Sequence, residues 1–223
     1  LWLLPKVNAL LAGTQEFEAV VYDGTGYTFN DADERLVLVN ANLSYGEEPS
    51  PNLAAADESG GIQLETEAAQ NYQQMAEAAR ADGVELVLNA GYLDADARSA
   101  VFDARKQFYL EKGRTEEDAA SLAALVQPEA DCNEHGTGYA ADILSADYTT
   151  LDTGFAGTRA YEWLTAYAAE YGFILRYPEE RQAATGVVFE PWHWRYVGRE
   201  NALAIRASGL SLEEFLALQK ASK

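Results

Sequence analysis

The chain has 223 residues, an apolar fraction of 48% and a net charge of 16 − 36 = −20. That is enough apolar material for one real core, with no Lys/Arg cluster to hold nucleic-acid phosphates and a charge that repels an anionic membrane surface. No run of eighteen apolar residues is present, so no membrane-spanning helix is expected.

Residues 1–34 read as an N-terminal arm and residues 35–223 as the main domain. In the arm, Gln15 to Tyr22 is a candidate strand, Asp23-Gly24-Thr25-Gly26 a turn, and Tyr27 to Phe29 its return. The chain opens at Leu1 without Met, as expected of a processed or truncated chain whose upstream signal or anchor is gone. Arg35 to Asn40 is an apolar, β-branched run expected to be a buried strand, and Asn42 to Gly61 an irregular excursion. Leu64, Ala68, Tyr72, Met75 and Ala79 recur at helical spacing before the stop at Gly83. A strand over Val84–Ala90 follows, then a helix over Ala97–Lys112 and another opened by Thr115-x-x-Asp118, to about Val126. Tyr139–Leu144 is a strand, Thr158–Tyr171 a helix, and Phe173–Tyr177 and Gly186–Phe189 strands. Ser211-x-x-Glu214 caps a last helix, to about Lys220. Helices early and short strands late predict an α+β fold, with helices packed on a small antiparallel sheet.

The chain has only two histidines, and each lies in a motif suited to zinc. His135 leads, seven residues on, to Asp142, with Gly136 and Gly138 allowing a tight bend between them. His193 lies three residues after Glu190, with Pro191 between them. Two imidazoles and one carboxylate are three metal ligands and leave a fourth position for water, the layout of a catalytic rather than a structural zinc site. Glu190 is the candidate general base, its pKa expected to be raised by Trp192 and Trp194 screening it from water. Cys132, the only cysteine, is expected to be a small buried side chain, with a ligand role as the alternative.

The two motifs resemble those of the VanY-type D-Ala-D-Ala carboxypeptidases. That family's pattern is Ser-x-His-x-x-Gly-x-Ala-x-Asp, followed by Glu-Pro-Trp-His-aromatic-Arg-Tyr-Val-Gly. The second part matches unbroken from Glu190 to Gly198, and the lead-in matches at Trp163-Leu164, Tyr171 to Pro178 and Thr185-Gly186. The resemblance spans roughly Arg35 to Gly198. It implies the Hedgehog/D,D-peptidase-like α+β fold, with Zn2+ on His135, Asp142 and His193 and with Glu190 as base to a zinc-activated water. It also implies peptidoglycan stem peptides as partner and substrate, D,D- or L,D-cleavage of a terminal D-alanine, and an extracytoplasmic location.

Three positions depart from the family. Leu93 stands where the family has an Arg that holds substrate, Asn133 replaces the Ser of the first motif, and Ala41 replaces a basic residue. Arg98, one helical turn beyond Leu93, is expected to take over substrate binding, with Asn133 keeping a hydrogen-bond donor. Two readings follow: an active zinc carboxypeptidase, or a catalytically weak or inactive zinc-containing protein that binds cell-wall peptides.

Overall fold

A computed structural model describes residues 33–41, 43–57 and 59–221; the strand and turn expected in the arm lie outside the described residues. Two short strands, β1 (Leu53–Ala55) and β2 (Gln63–Glu65), form an antiparallel pair that leads into α1 (Thr66–Ala81). The predicted stripe is its buried face: Ala68, Tyr72, Met75 and Ala79 are in the core. Gly83, at φ 75°, ends the run where an L side chain would be strained.

The main sheet is antiparallel, in the order β3-β4-β6-β5, from β3 (Leu86–Ala90), β4 (Ala140–Ser145), β5 (Phe173–Leu175) and β6 (His193–Tyr196). Between β3 and β4 lie α2 (Ala95–Glu111) and α3 (Glu116–Ala124), the latter opened by Thr115, whose side chain accepts from the Asp118 amide at 3.1 Å. Then come α4 (Arg159–Tyr167), the single turn α5 (Gln182–Thr185), α6 (Arg199–Ser208) and α7 (Leu212–Ala221). The capping box at Ser211 is reciprocal: Ser211 Oγ accepts from the Glu214 amide and Glu214 returns the bond to the Ser211 amide.

One core joins α1 and α4 to the sheet through Leu64, Met75, Ile143, Trp163, Leu164 and Trp194. A second packs Leu36, Leu38, Ile174, Val197, Ile205 and Phe215 between the sheet and the last two helices. A third joins α2 to α3. All of β4 is buried, with Ala140 and Ala141 opposite the large Arg195 and Trp194 of β6.

Three expectations are corrected. Residues 35–40 are not a strand: Glu34–Leu36 is a 3-10 turn and the chain beyond is extended without a ladder. Leu36, Leu38 and Val39 are buried as expected, but the carbonyls of Arg35 and Val37 accept from the Arg195 guanidinium instead of from a neighbouring strand. Residues 186–189 also lack a ladder; the Val188 amide is taken by Leu125 O. The helix Arg199–Ser208 was not expected, because Gly198 before it offers no side-chain cap. No helix among the described residues is long and apolar enough to cross a membrane.

Candidate metal centre and active site

The sheet register brings two of the predicted ligands together. Asp142 on β4 pairs directly with His193 on β6, so their side chains leave the sheet on the same face. His135 arrives from the 3-10 turn Glu134–Thr137 just before β4. Gly138, at φ 74°, reverses the chain between turn and strand. Donor atoms of His135, Asp142 and His193 all lie within 4.8 Å of one another, and all three residues are buried.

Asp142 Oδ1 is the centre of this group, 3.5 Å from His135 Nε2 and 3.1 Å from His193 Nδ1. The rings meet edge to face at 5.1 Å. The remaining ring nitrogens are engaged outside the cluster. His135 Nδ1 donates to Gly91 O at 2.6 Å, since a carbonyl can only accept, which leaves the Nε2 lone pair facing Asp142. His193 Nε2 lies 3.4 Å from Glu134 Oε2. A borderline-soft divalent ion takes such a donor set of two imidazoles and a carboxylate, and outer partners on both rings are what ligating histidines carry, so the residues present fit zinc.

Glu190 sits beside the group, with Oε2 3.8 Å from His193 Nδ1. Its other oxygen, Oε1, is buried with no hydrogen-bond partner among the described residues. Burial pushes the Glu190 carboxyl up to about 8, against the favourable charge of His193. For Asp142, burial acts in the same upward direction, but His135 and His193 outweigh it and hold the carboxyl well below the usual range. His193 feels burial pulling its pKa down, yet Asp142 and Glu134 lift it to about 9.

Asn133 lines the same cleft as Glu190, Tyr177 and Pro128. Its side-chain oxygen accepts from the His135 amide at 3.0 Å and so caps the ligand turn. Trp192 and Trp194 are buried core, and Cys132 is half-buried, outside the converging donors, its thiol pushed up to about 12 by burial.

Arg98 is corrected. It is fully buried, and its guanidinium holds Ala130 O at 2.7 Å, Leu93 O at 2.5 Å and both oxygens of Glu48 at 2.7 Å. It braces the loops behind His135, and its donors are committed to the fold instead of to a substrate.

Two residues escaped the sequence reading. Glu134 is wholly buried against Arg176 and Arg195. Burial would raise its pKa; the two guanidiniums outweigh that and hold it well below the carboxylate range. Arg105, on α2, is half-buried, stacks loosely over Phe108 at 6.0 Å, and has no hydrogen bond or ion pair among the described residues. Its charge acts on Glu190. The signal for Glu134 was its place beside a ligand; for Arg105, one helical turn from Phe102 and Tyr109 in the third core, it was helical phase.

Comparison with known proteins adds the following. The family model "VanY: D-alanyl-D-alanine carboxypeptidase" matches residues 61–199. A D-alanyl-D-alanine carboxypeptidase of Enterococcus faecalis is 36% identical over 162 residues, which is 73% of this chain and 59% of that protein. The chain therefore spans under two thirds of that relative's length. Among solved structures, VanYB in complex with D-alanine-D-alanine superposes with a TM-score of 0.74 at 33% identity, covering 82% of this chain and 97% of that one. A variant of the vancomycin resistance D,D-pentapeptidase VanY in complex with Zn(II) gives a TM-score of 0.73 at 32% identity, covering 82% and 99%.

Proposed function

The chain belongs to the VanY family of D-alanyl-D-alanine carboxypeptidases, and from that premise we propose that it is an extracytoplasmic zinc carboxypeptidase that trims a terminal D-alanine from peptidoglycan stem peptides. The observation that carries this reading is the buried triad His135, Asp142 and His193 beside a carboxyl with one unpartnered oxygen, Glu190 Oε1. Zinc on the triad would supply Lewis-acid polarisation of the scissile carbonyl and activation of the attacking water. Glu190 takes that water's proton on the free oxygen and hands it to the departing amine of D-alanine. Burial raises its proton affinity, and the positive charge of a bound zinc would pull it back toward the ionised form that a base needs. Asn133 borders the cleft, and we assign its amide nitrogen the role of donor to the peptide.

The terminal carboxylate of such a substrate needs a cation. Arg98, Arg176 and Arg195 are fully buried and committed to partners in the fold. Arg105 is uncommitted among the described residues and acts on Glu190. We assign it the substrate-holding role expected of Arg98. We take the main domain to begin at about residue 35, as the sequence indicates.

A second reading, a zinc-containing wall-peptide binder with little turnover, is favoured by Leu93 at the family's Arg position. Incubation of the zinc-loaded protein with muropeptides, followed by mass spectrometry, separates the two. Loss of one alanine from pentapeptide stems means D,D-cleavage, and loss from tetrapeptide stems means L,D-cleavage. Binding with no mass change means the second reading. Glu190→Gln should keep one zinc per chain and lose about 10²–10⁴-fold in turnover; full turnover in that variant removes Glu190 as the base.

A further inference from the structure

Glu134 is an odd residue to bury. A lone carboxylate taken out of water is costly, and neutralising partners must come with it. Oε1 accepts from Arg176 Nε at 2.7 Å and lies 2.9 Å from Arg195 Nη1, an ion pair by distance though off the angle of a hydrogen bond. Arg176 also grips Glu213 on α7 through Nη1 at 2.9 Å and Nη2 at 2.6 Å, and Glu213 accepts from Asn40 Nδ2 at 3.1 Å. The side chains of Arg176, Glu213, Arg195 and Glu134 are all 0% exposed. What this assembly leaves over is Oε2, which faces His193 Nε2 at 3.4 Å, while the opposite ring nitrogen faces Asp142.

We infer that Glu134 is the positioning residue of His193: its carboxylate keeps the imidazole proton on Nε2 and the lone pair on Nδ1, and it holds the ring edge toward Asp142. Arg176 and Glu213 fasten that carboxylate to the last helix, so the ligand's orientation is set partly from α7. A carboxylate behind a ligating imidazole fixes its tautomer and strengthens it as a donor, and loss of such a partner weakens metal binding by about 10–100-fold. The two histidines then use opposite nitrogens: His135 keeps its proton on Nδ1 against Gly91 O, and His193 keeps its proton on Nε2.

This inference rests on the zinc reading above, and its test keeps the two apart. Zinc content of the unsubstituted protein comes first: less than one per chain under saturating zinc sinks the zinc reading, and with it the reason for a positioned ligand. With zinc bound, long-range ¹H–¹⁵N correlation of the imidazole rings, simple in a chain with two histidines, should show one Nδ1–H and one Nε2–H tautomer. Two rings in the same tautomer would overturn the inference. Chelator competition on Glu134→Gln should give a zinc dissociation constant about 10–100-fold weaker than that of the unsubstituted protein. A folded Glu134→Gln that binds zinc as tightly, with a lower melting temperature only, would show a purely structural role and overturn it. If that variant does not fold, the tautomer measurement decides alone.

Discussion

Gly136 is a tight point in the wall behind the metal centre. A Cβ there would stand 2.5 Å from Tyr45 Oη, 2.6 Å from Arg98 Nη1 and 2.7 Å from Arg98 Cζ. All three are closer than real Cβ contacts allow. The neighbours are side-chain ends, which usually yield cheaply, but Arg98 is pinned at Ala130 O, Leu93 O and Glu48, and Leu93 also donates its amide to His135 O. Gly136→Ala must therefore either force the ligand turn outward or break charge-assisted bonds. Overpacking costs about 1–3 kcal/mol, and one hydrogen bond to a charged group adds about 1.5–3 kcal/mol. Since about 1 kcal/mol shifts the melting temperature of a domain this size by roughly 2–4 °C, a fall of about 5–24 °C is expected in scanning calorimetry, together with weaker zinc retention. Gly157, where a Cβ meets nothing within 4 Å, is the control; Gly157→Ala should stay within about 0.5 kcal/mol. If Gly136→Ala melts with the control and keeps zinc equally well, the bracing role of Arg98 is wrong.

Two other outcomes follow from the same groups. Arg105→Ala should raise KM for a stem peptide with a free terminal carboxylate far more than for the same peptide amidated at that end. Equal effects on both would remove Arg105 from carboxylate recognition. The metal-free protein should lose stability as pH rises. Both His193, raised to about 9, and Glu190, raised to about 8, bind protons more tightly folded than unfolded, so stability falls with pH from about 4.5 upward until both are titrated. Asp142 and Glu134, held low, act oppositely and cost stability on the acid side. Zinc must displace the His193 proton, so the gap in melting temperature between loaded and metal-free protein should widen from pH 6 to pH 9. A gap that narrows would contradict these assignments.

The sequence was most legible where local chemistry and tertiary role coincide. The stripe from Leu64 to Ala79, the Thr115 cap, the capping box at Ser211 and the His135, Asp142 and His193 set each carry their own signature in residue type and spacing. Residues 35–40 misled because an apolar β-branched run reports burial and says nothing of its backbone partners, which here are the Arg195 and Arg176 side chains, arriving from more than a hundred residues away. Arg98 misled because a one-turn offset on a helix cannot say which way a long side chain turns, and the nearby carbonyls of Ala130 and Leu93 claim it. For Glu134 the sequence offered only its place beside His135; the role of a buried charge makes sense once its guanidinium partners, on β6 and just after β5, are in place.

The claim that this chain is a zinc-dependent carboxypeptidase is tested most directly by metal add-back. The chelated, zinc-free protein is titrated with zinc while D-alanine release from a peptide ending in D-Ala-D-Ala is followed. Release should be absent without metal, rise in proportion to zinc, and level off at one equivalent per chain. Release that is the same without metal, or no release at one bound equivalent, would contradict the account.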